Sequence, residues 1–288
     1  MPRLFYSLSV LGLTILCGLL ALRPAQGWWV KGHGQIAQAA ASRLPDEVPA
    51  FFRNAGKTLN YLAGEPDRWK NKAVPMLTAA ISPDHFLDLE DLEGNELPRD
   101  RFQAYELLRK LGKSPEKVGF LPYAIQEHFD QLTIAFADYR KDPENEAIRM
   151  KCLVYAGILS HYTGDACMPL HTTRDYDGRP GLDGKMQQKG IHAKIDGFPE
   201  TFGLAWEEMA RDFELRTVDD PWQHTWSILL DSRKHIERCY ELDLENAFTK
   251  PTPDSRDFIL RRCRLASQFT AELWLAAWRK SATVKQPY

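Results

Sequence analysis

Apolar positions along this chain recur every three or four residues. Val118, Leu121, Ile125, Phe129, Leu132 and Phe136 trace one such stripe, and Ile259, Cys263, Ala266, Phe269, Leu273 and Ala276 trace another. That is the period of helices that bury a single face. The pattern predicts further helices over 144–161 and 222–244. Strand-like alternation is scarce, and no internal repeat, low-complexity block or long linker interrupts the chain. The one obvious long loop is RDYDGRPGLDGKMQQKG, from Arg174 to Gly190. Its D-x-D-G departs from a calcium loop's spacing after the first residues, so no calcium site is assigned to it. The expectation is an all-α fold, a single compact multi-helix domain over residues 28–288.

Residues 1–27 read differently. Arg3 lies in a short basic head, an apolar run extends to Leu22, and Ala25-Gln26-Gly27 follows. This is the layout of a signal peptide cleaved before Trp28, and it is preferred over an uncleaved anchor. The expected product is secreted or periplasmic. Removing Arg3 and Arg23 takes the formal net charge from -2 to -4, so the whole surface offers no basic footprint for nucleic acid. Any affinity for phosphate has to be local. Cys152, Cys167, Cys239 and Cys263 remain, and an oxidising compartment permits disulfides among them with the pairing open. None is spaced C-x-x-C, which argues against a thiolate zinc site. No stable protein partner is implied, and a monomer is expected.

The stretch LSHYTGDACMPLHT, Leu159 to Thr172, places two of the chain's eight histidines and an aspartate on one apolar segment. Residues four apart share a helical face, so His161 and Asp165 point at one spot if their helix runs on that far. GIHAKIDGF repeats the device with His192 and Asp196, and His171 lies between the two pairs. Imidazole and carboxylate on one face suit Zn²⁺, which takes nitrogen, oxygen and sulfur donors. A single pair is more simply a hydrogen-bonded core histidine; two pairs shift the balance toward metal. EPDRWKN adds Asp67, and SPDHFLDLED adds His85 beside Asp84 and Asp88. At the expected mature terminus, WWVKGHGQIA, a free α-amine and carbonyl of Trp28 would chelate one metal, with His33 five residues on.

This ordered set (W-x4-H, then D, H-F-L-D, H-Y-x-G-D-x4-P-L-H and H-x3-D) resembles the three-zinc superfamily of single-strand-specific nucleases and bacterial zinc-dependent phospholipases C. The resemblance spans Trp28 to about Asp196. It implies three Zn²⁺ per chain. One would be held by Asp67, His85, His161 and Asp165. A second would be held by the Trp28 amine and carbonyl, His33 and the bridging Asp165. His171, His192 and Asp196 would hold the third. It also implies a hydroxide shared by the paired metals as nucleophile on phosphorus, with Asp67, Asp165 and Lys70 as the catalytic groups.

Two substrates remain. The short Trp28-to-His33 spacing resembles the nucleases, in which the residues matching Phe86 and Asp88 would stack on and hydrogen-bond to a base, as single strands are usually read. GIHAKIDGF looks more like the phospholipase version of its segment. Lys70 stands where the nucleases carry arginine, which gives charge without the bidentate fork, and Met168 replaces the usual glutamine. The favoured reading is a nuclease cleaving single-stranded DNA or RNA to 5′-phosphorylated products; the alternative is a phospholipase C. A third is a non-catalytic zinc-binding helical protein. Trp69, Trp206, Trp222 and Trp226 are assigned mainly to the core, and His128, His224 and His235 to no motif.

Overall fold

Buried apolar stripes build the core. A computed structural model describes residues 28–285; the leader expected over residues 1–27, with its cleavage site, lies outside them. The stripe from Leu121 to Phe136 is the buried face of helix Leu121–Lys141. Val118 belongs instead to a separate turn, Pro115–Val118. The C-terminal stripe is the buried face of Pro253–Ser281. Each large apolar side chain so buried contributes roughly 1.5–3 kcal/mol.

In chain order, the helices that carry or support the site are α1 (Val30–Ser42), α2 (Gly56–Leu62), α3 (Glu65–Trp69), α4 (Pro75–Ile81), α5 (Leu121–Lys141), α6 (Glu146–Ala166), α7 (Ile191–Asp196), α8 (Pro221–Arg233), α9 (Ile236–Leu244) and α10 (Pro253–Ser281). α6 lies at the centre, packed against α1, α2, α5 and α10. Asn145 starts it by accepting from the amides of Ala147 and Ile148, a side-chain N-cap. It ends at Ala166, just short of Pro169, which opens a 3₁₀ turn at Pro169–Thr172. So α6 does run past Asp165, as the His161/Asp165 pairing required.

Two expectations needed correction in detail. The helix read over 222–244 is two helices, α8 and α9. The break falls at Lys234 and His235, just after Asp231 and Ser232 are held by the Arg262 guanidinium. The long loop 174–190 contains a small antiparallel ladder pairing Arg179–Pro180 with Met186–Gln187. Otherwise the described chain is helical, and none of its helices is long and apolar enough to cross a membrane. Cys152, Cys167, Cys239 and Cys263 are buried free thiols. Trp222 is buried, while Trp69, Trp206 and Trp226 pack half-buried on the core.

α2 and α6 approach closely because residue 157 has no side chain. A Cβ there would strike Leu62, including its main-chain carbon at 3.0 Å. Backbone cannot yield as a flexible side chain can, so Gly157→Ala is expected to destabilise the fold by about 1–3 kcal/mol, read from urea unfolding. Unchanged stability would mean that α2 and α6 are free to separate.

Candidate metal centre

α6 supplies two of the side chains around which the site is built. His161 and Asp165 stand one turn apart, with His161 Nε2 3.4 Å from Asp165 Oδ2. Around them converge α3 with Asp67, the 3₁₀ turn Ser82–His85 and α1 with His33. Three groups of ligand atoms result: Asp67, His85 and His161; His33, His161 and Asp165; and His171, His192 and Asp196. All eight residues are buried.

The contacts are those of side chains aimed at a common centre. His85 Nδ1 is 3.0 Å from Asp165 Oδ2 and 3.1 Å from His161 Nε2. Asp67 Oδ1 lies 3.8 Å from His161 Nε2, and His33 Nε2 lies 3.5 Å from Asp165 Oδ1. The His33 and His161 rings stack at 3.8 Å. Main-chain carbonyls fix two of the rings. His161 Nδ1 donates to the Ala63 carbonyl at 2.8 Å, and His171 Nδ1 donates to that of His85 at 2.7 Å. With Nδ1 carrying the proton, Nε2 keeps a lone pair facing inward, the usual outer-shell arrangement of a ligating histidine.

The third group is less furnished. His192 Nε2 is 3.2 Å from Asp196 Oδ2, an ion contact without hydrogen-bond geometry, and neither side chain has a hydrogen-bond partner. Tyr176, from the long loop, sets its ring edge-on against His192 at 5.4 Å. Nothing in the sequence around Tyr176 indicated this contact.

Among the described residues, eleven buried side-chain nitrogens or oxygens lack a hydrogen-bond partner, and every one belongs to His33, Asp67, His85, Asp165, His171, His192 or Asp196. Each unsatisfied buried group costs roughly 1–3 kcal/mol, so together they would cost as much as, or more than, the ~5–15 kcal/mol by which a domain is stable. Cations at these positions remove that penalty. The donors are imidazole nitrogen and carboxylate oxygen with no thiol among them, which fits Zn²⁺. One of the eleven atoms, Asp67 Oδ1, is also 2.6 Å from Lys70 Nζ, an ion contact without hydrogen-bond geometry.

Protonation follows the same logic. Burial depresses His33 to about 4, and burial with Lys70 depresses His85 to about 3; both are neutral ligands at neutral pH. Burial also opposes a charge on His161, but Asp165 and Asp67 outweigh it and raise its value. Asp165 is itself held well below its usual range despite burial, by His161 and His171. In contrast, burial, then Asp165 and Asp67, push Asp196 well above the ordinary carboxylate value. Without a cation beside it, its protonated form is favoured.

Other residues singled out in the sequence lie at varying distance from this centre. Trp28 is fully buried beside His33, its indole donating to the Gly164 carbonyl at 3.1 Å; whether its nitrogen is a free amine depends on residues outside those described. Phe86 is half-buried, its ring against Gly119, where a Cβ would come within 2.8 Å of it. Asp88 is only 7% exposed. It sits among Glu90, Asp91, Arg174 and Asp175, and burial with Glu90 and Asp91 raises it to about 8. His128, His224 and His235 are in none of the three groups.

No family model matches this chain, and no curated protein does. Solved structures similar to it include two clostridial toxins. The alpha toxin of Clostridium absonum aligns at 15% identity and a TM-score of 0.48, covering 91% of this chain and 68% of the toxin's. The alpha-toxin of Clostridium perfringens, from an avian strain, aligns at 16% and 0.45, covering 90% of this chain and 65% of the toxin's.

Two measurements test the centre. Burial keeps His192 neutral and favours the protonated form of Asp196, and a cation at Asp196 displaces that proton, so zinc titrated into chelated protein is expected to release protons and to bind more weakly as pH falls. Calorimetry in buffers of different ionisation heat reads this directly; a buffer-independent heat would contradict it. Gly164 is the second. A Cβ there would lie 2.8 Å from His33 Nδ1, so Gly164→Ala is expected to displace His33 and lower the bound zinc per folded chain. An unchanged metal content would show that His33 is not held by this contact.

Proposed function

We propose that this protein is an exported zinc-dependent phosphodiester hydrolase acting on phospholipid head groups, as a phospholipase C. The observation that carries the hydrolase reading is the set of eleven unpartnered polar atoms confined to predicted ligands. A structural zinc site is closed and mostly thiolate; three adjoining His/Asp groups, two of which share His161, suit a centre that works on a substrate.

Zn²⁺ at these positions would supply Lewis acidity toward a phosphoryl oxygen and make water a stronger acid at neutral pH. The chain's own groups do the rest. Asp165 orients His33, His85 and His161, and carbonyl-anchored His161 and His171 cannot rotate away. Lys70 Nζ, largely buried beside Asp67, bears on the electrostatics of His85, His171, His192 and Asp196 alike. It offers one fixed positive charge to a phosphate that approaches any of the three groups.

Between the two substrates, support comes from Asp88 and from the rim of the site. A residue that reads a base edge has to reach it, and Asp88 is sunk in an acidic cluster and mostly protonated at neutral pH. Of the four tryptophans weighed as stacking platforms, Trp222 is buried and Trp69, Trp206 and Trp226 are half-buried against the core. Tyr176 is exposed against His192, and α4, which follows Asp67 and precedes His85 in the chain, exposes the apolar side chains of Met76 and Leu77.

Zinc-loaded protein is expected to release phosphocholine from phosphatidylcholine while leaving single-stranded DNA and RNA intact, and His161→Ala and Asp165→Ala to abolish the release. Chelator-sensitive cleavage of the nucleic acid alone would restore the nuclease reading. Asp88 gives a separate test. Its carboxyl is raised from 3.8 to about 8, so between those values the folded state holds a proton that the unfolded state has lost. Stability therefore falls as pH rises through that window. Asp88→Asn lacks the ionisation, so its gain in melting temperature should grow from pH ~4 to ~8, with lipid hydrolysis retained. An equal shift at both ends, or loss of hydrolysis, would contradict the assignment.

A further inference from the structure

We propose that the segment Lys72–Ala80, ending in α4, is a docking element that seats the protein on a phospholipid bilayer with the metal centre facing the headgroups. This deepens the lipid reading above and rests on it. The segment lies between two metal-ligand positions, Asp67 on α3 and His85 on its 3₁₀ turn, and packs on both of those elements. It is inverted relative to an ordinary surface helix. Val74 is 44% exposed, Met76 87% and Leu77 41%, Ala73, Pro75, Ala79 and Ala80 are exposed too, and α4 has no buried residue.

Polar bonds hold the segment in place. Thr78 Oγ1 accepts from the Asn71 amide at 3.0 Å and lies 2.9 Å from the Asn71 carbonyl and 3.2 Å from that of Trp69. Asn71 Oδ1 accepts from the Ala73 amide at 2.9 Å, and Ser82 Oγ donates to the Thr78 carbonyl at 2.6 Å. With the base fixed by hydrogen bonds, the apolar tip is not needed for the fold and stands in water. Contiguous exposed apolar surface of this kind marks an interaction site.

Charge identifies the occupant. No acidic residue occurs between Asp67 and Asp84, whereas Arg68, Lys70 and Lys72 all do, on a chain of net charge -2; Arg68 pairs with Glu65 and Lys70 with Asp67, which leaves Lys72 as the basic flank. Lys72 is exposed and forms no ion pair among the described residues. Aliphatic side chains flanked by lysine match a surface with acyl chains beneath and phosphates above. A protein partner would call for no such basic flank, and a single strand would call for stacking rings that the segment lacks.

The test uses zinc-loaded and chelated protein with vesicles of phosphatidylcholine and phosphatidylglycerol. Replacing Val74→Ser, Met76→Ser and Leu77→Ser together is expected to weaken vesicle co-sedimentation by about tenfold or more, equally with and without chelator. Turnover of a short-chain phosphatidylcholine kept monomeric in solution should be unchanged. Lys72→Glu should weaken binding at low salt and lose its effect at high salt. Undiminished sedimentation of the triple variant would overturn the proposal. So would loss of a self-association, or of oligonucleotide binding, in place of vesicle binding. Failure of the hydrolase reading would look different: no turnover of either lipid by the wild type, with vesicle binding intact.

Discussion

The centre of this protein depends on one carboxylate with no exposure to water. Asp165 lies within 3.5 Å of a nitrogen on each of His33, His85, His161 and His171, and those residues come from α1, two 3₁₀ turns and α6. A buried carboxylate is tolerated only when positive charge surrounds it. Here that charge has to be protons on the imidazoles or cations among them. The surrounding helices are therefore placed to aim side chains inward at a charged centre, and the apolar stripes that pack behind them hold that aim.

Close approach made this possible, and glycine permits it. Gly157 brings α2 against α6, and Gly164 leaves room for the His33 ring. The Ala63 carbonyl, at the end of α2, can then accept from His161 Nδ1. A chain of contacts runs from helix packing, through a ring's orientation, to the direction of a lone pair. The conformational freedom of these glycines is not at issue, since both are helical; only their missing side chains matter.

Much of this was readable from residue spacing. The i, i+4 pairs His161/Asp165 and His192/Asp196 fix two faces by helical geometry alone, and helix α6 extends as those faces need. The remaining ligands were brought in by resemblance, and the structure gathers His33, Asp67, His85 and His171 with them. What spacing could not show is depth. Phe86 and Asp88 adjoin a ligand in sequence, yet Asp88 turns into an acidic cluster behind it, because the main chain after His85 is tied back through Leu87 to His171 and through Asp88 to Val118. The break between α8 and α9 was hidden for a similar reason: it follows a turn of helix tied to Arg262, far away in sequence. Nor does periodicity reveal α4, whose apolar residues face outward because Thr78 and Asn71 hold its base.

A buried acid elsewhere in the molecule shows why the unpartnered atoms of the centre point to a ligand. Glu272 on α10 is as buried as Asp165. It accepts from the Arg216 amide and Nε at 3.0 Å each, from Gln268 Nε2 at 2.7 Å, and meets His224 Nε2 at 2.7 Å. Those partners hold its carboxyl below the ordinary value although burial works the other way. This chain therefore satisfies a buried carboxylate with its own donors where nothing else has to bind. Asp196, equally buried, has no hydrogen bond and only His192 Nε2 at 3.2 Å, and Asp67 has only ion contacts, with Lys70 and at 3.8 Å with His161. Leaving those oxygens bare would be destabilising in a protein whose other buried polar side-chain atoms are paired among the described residues. The contrast between Glu272 and Asp196 separates an ionic contact made for the fold from a set of side chains whose arrangement is compatible with metal binding.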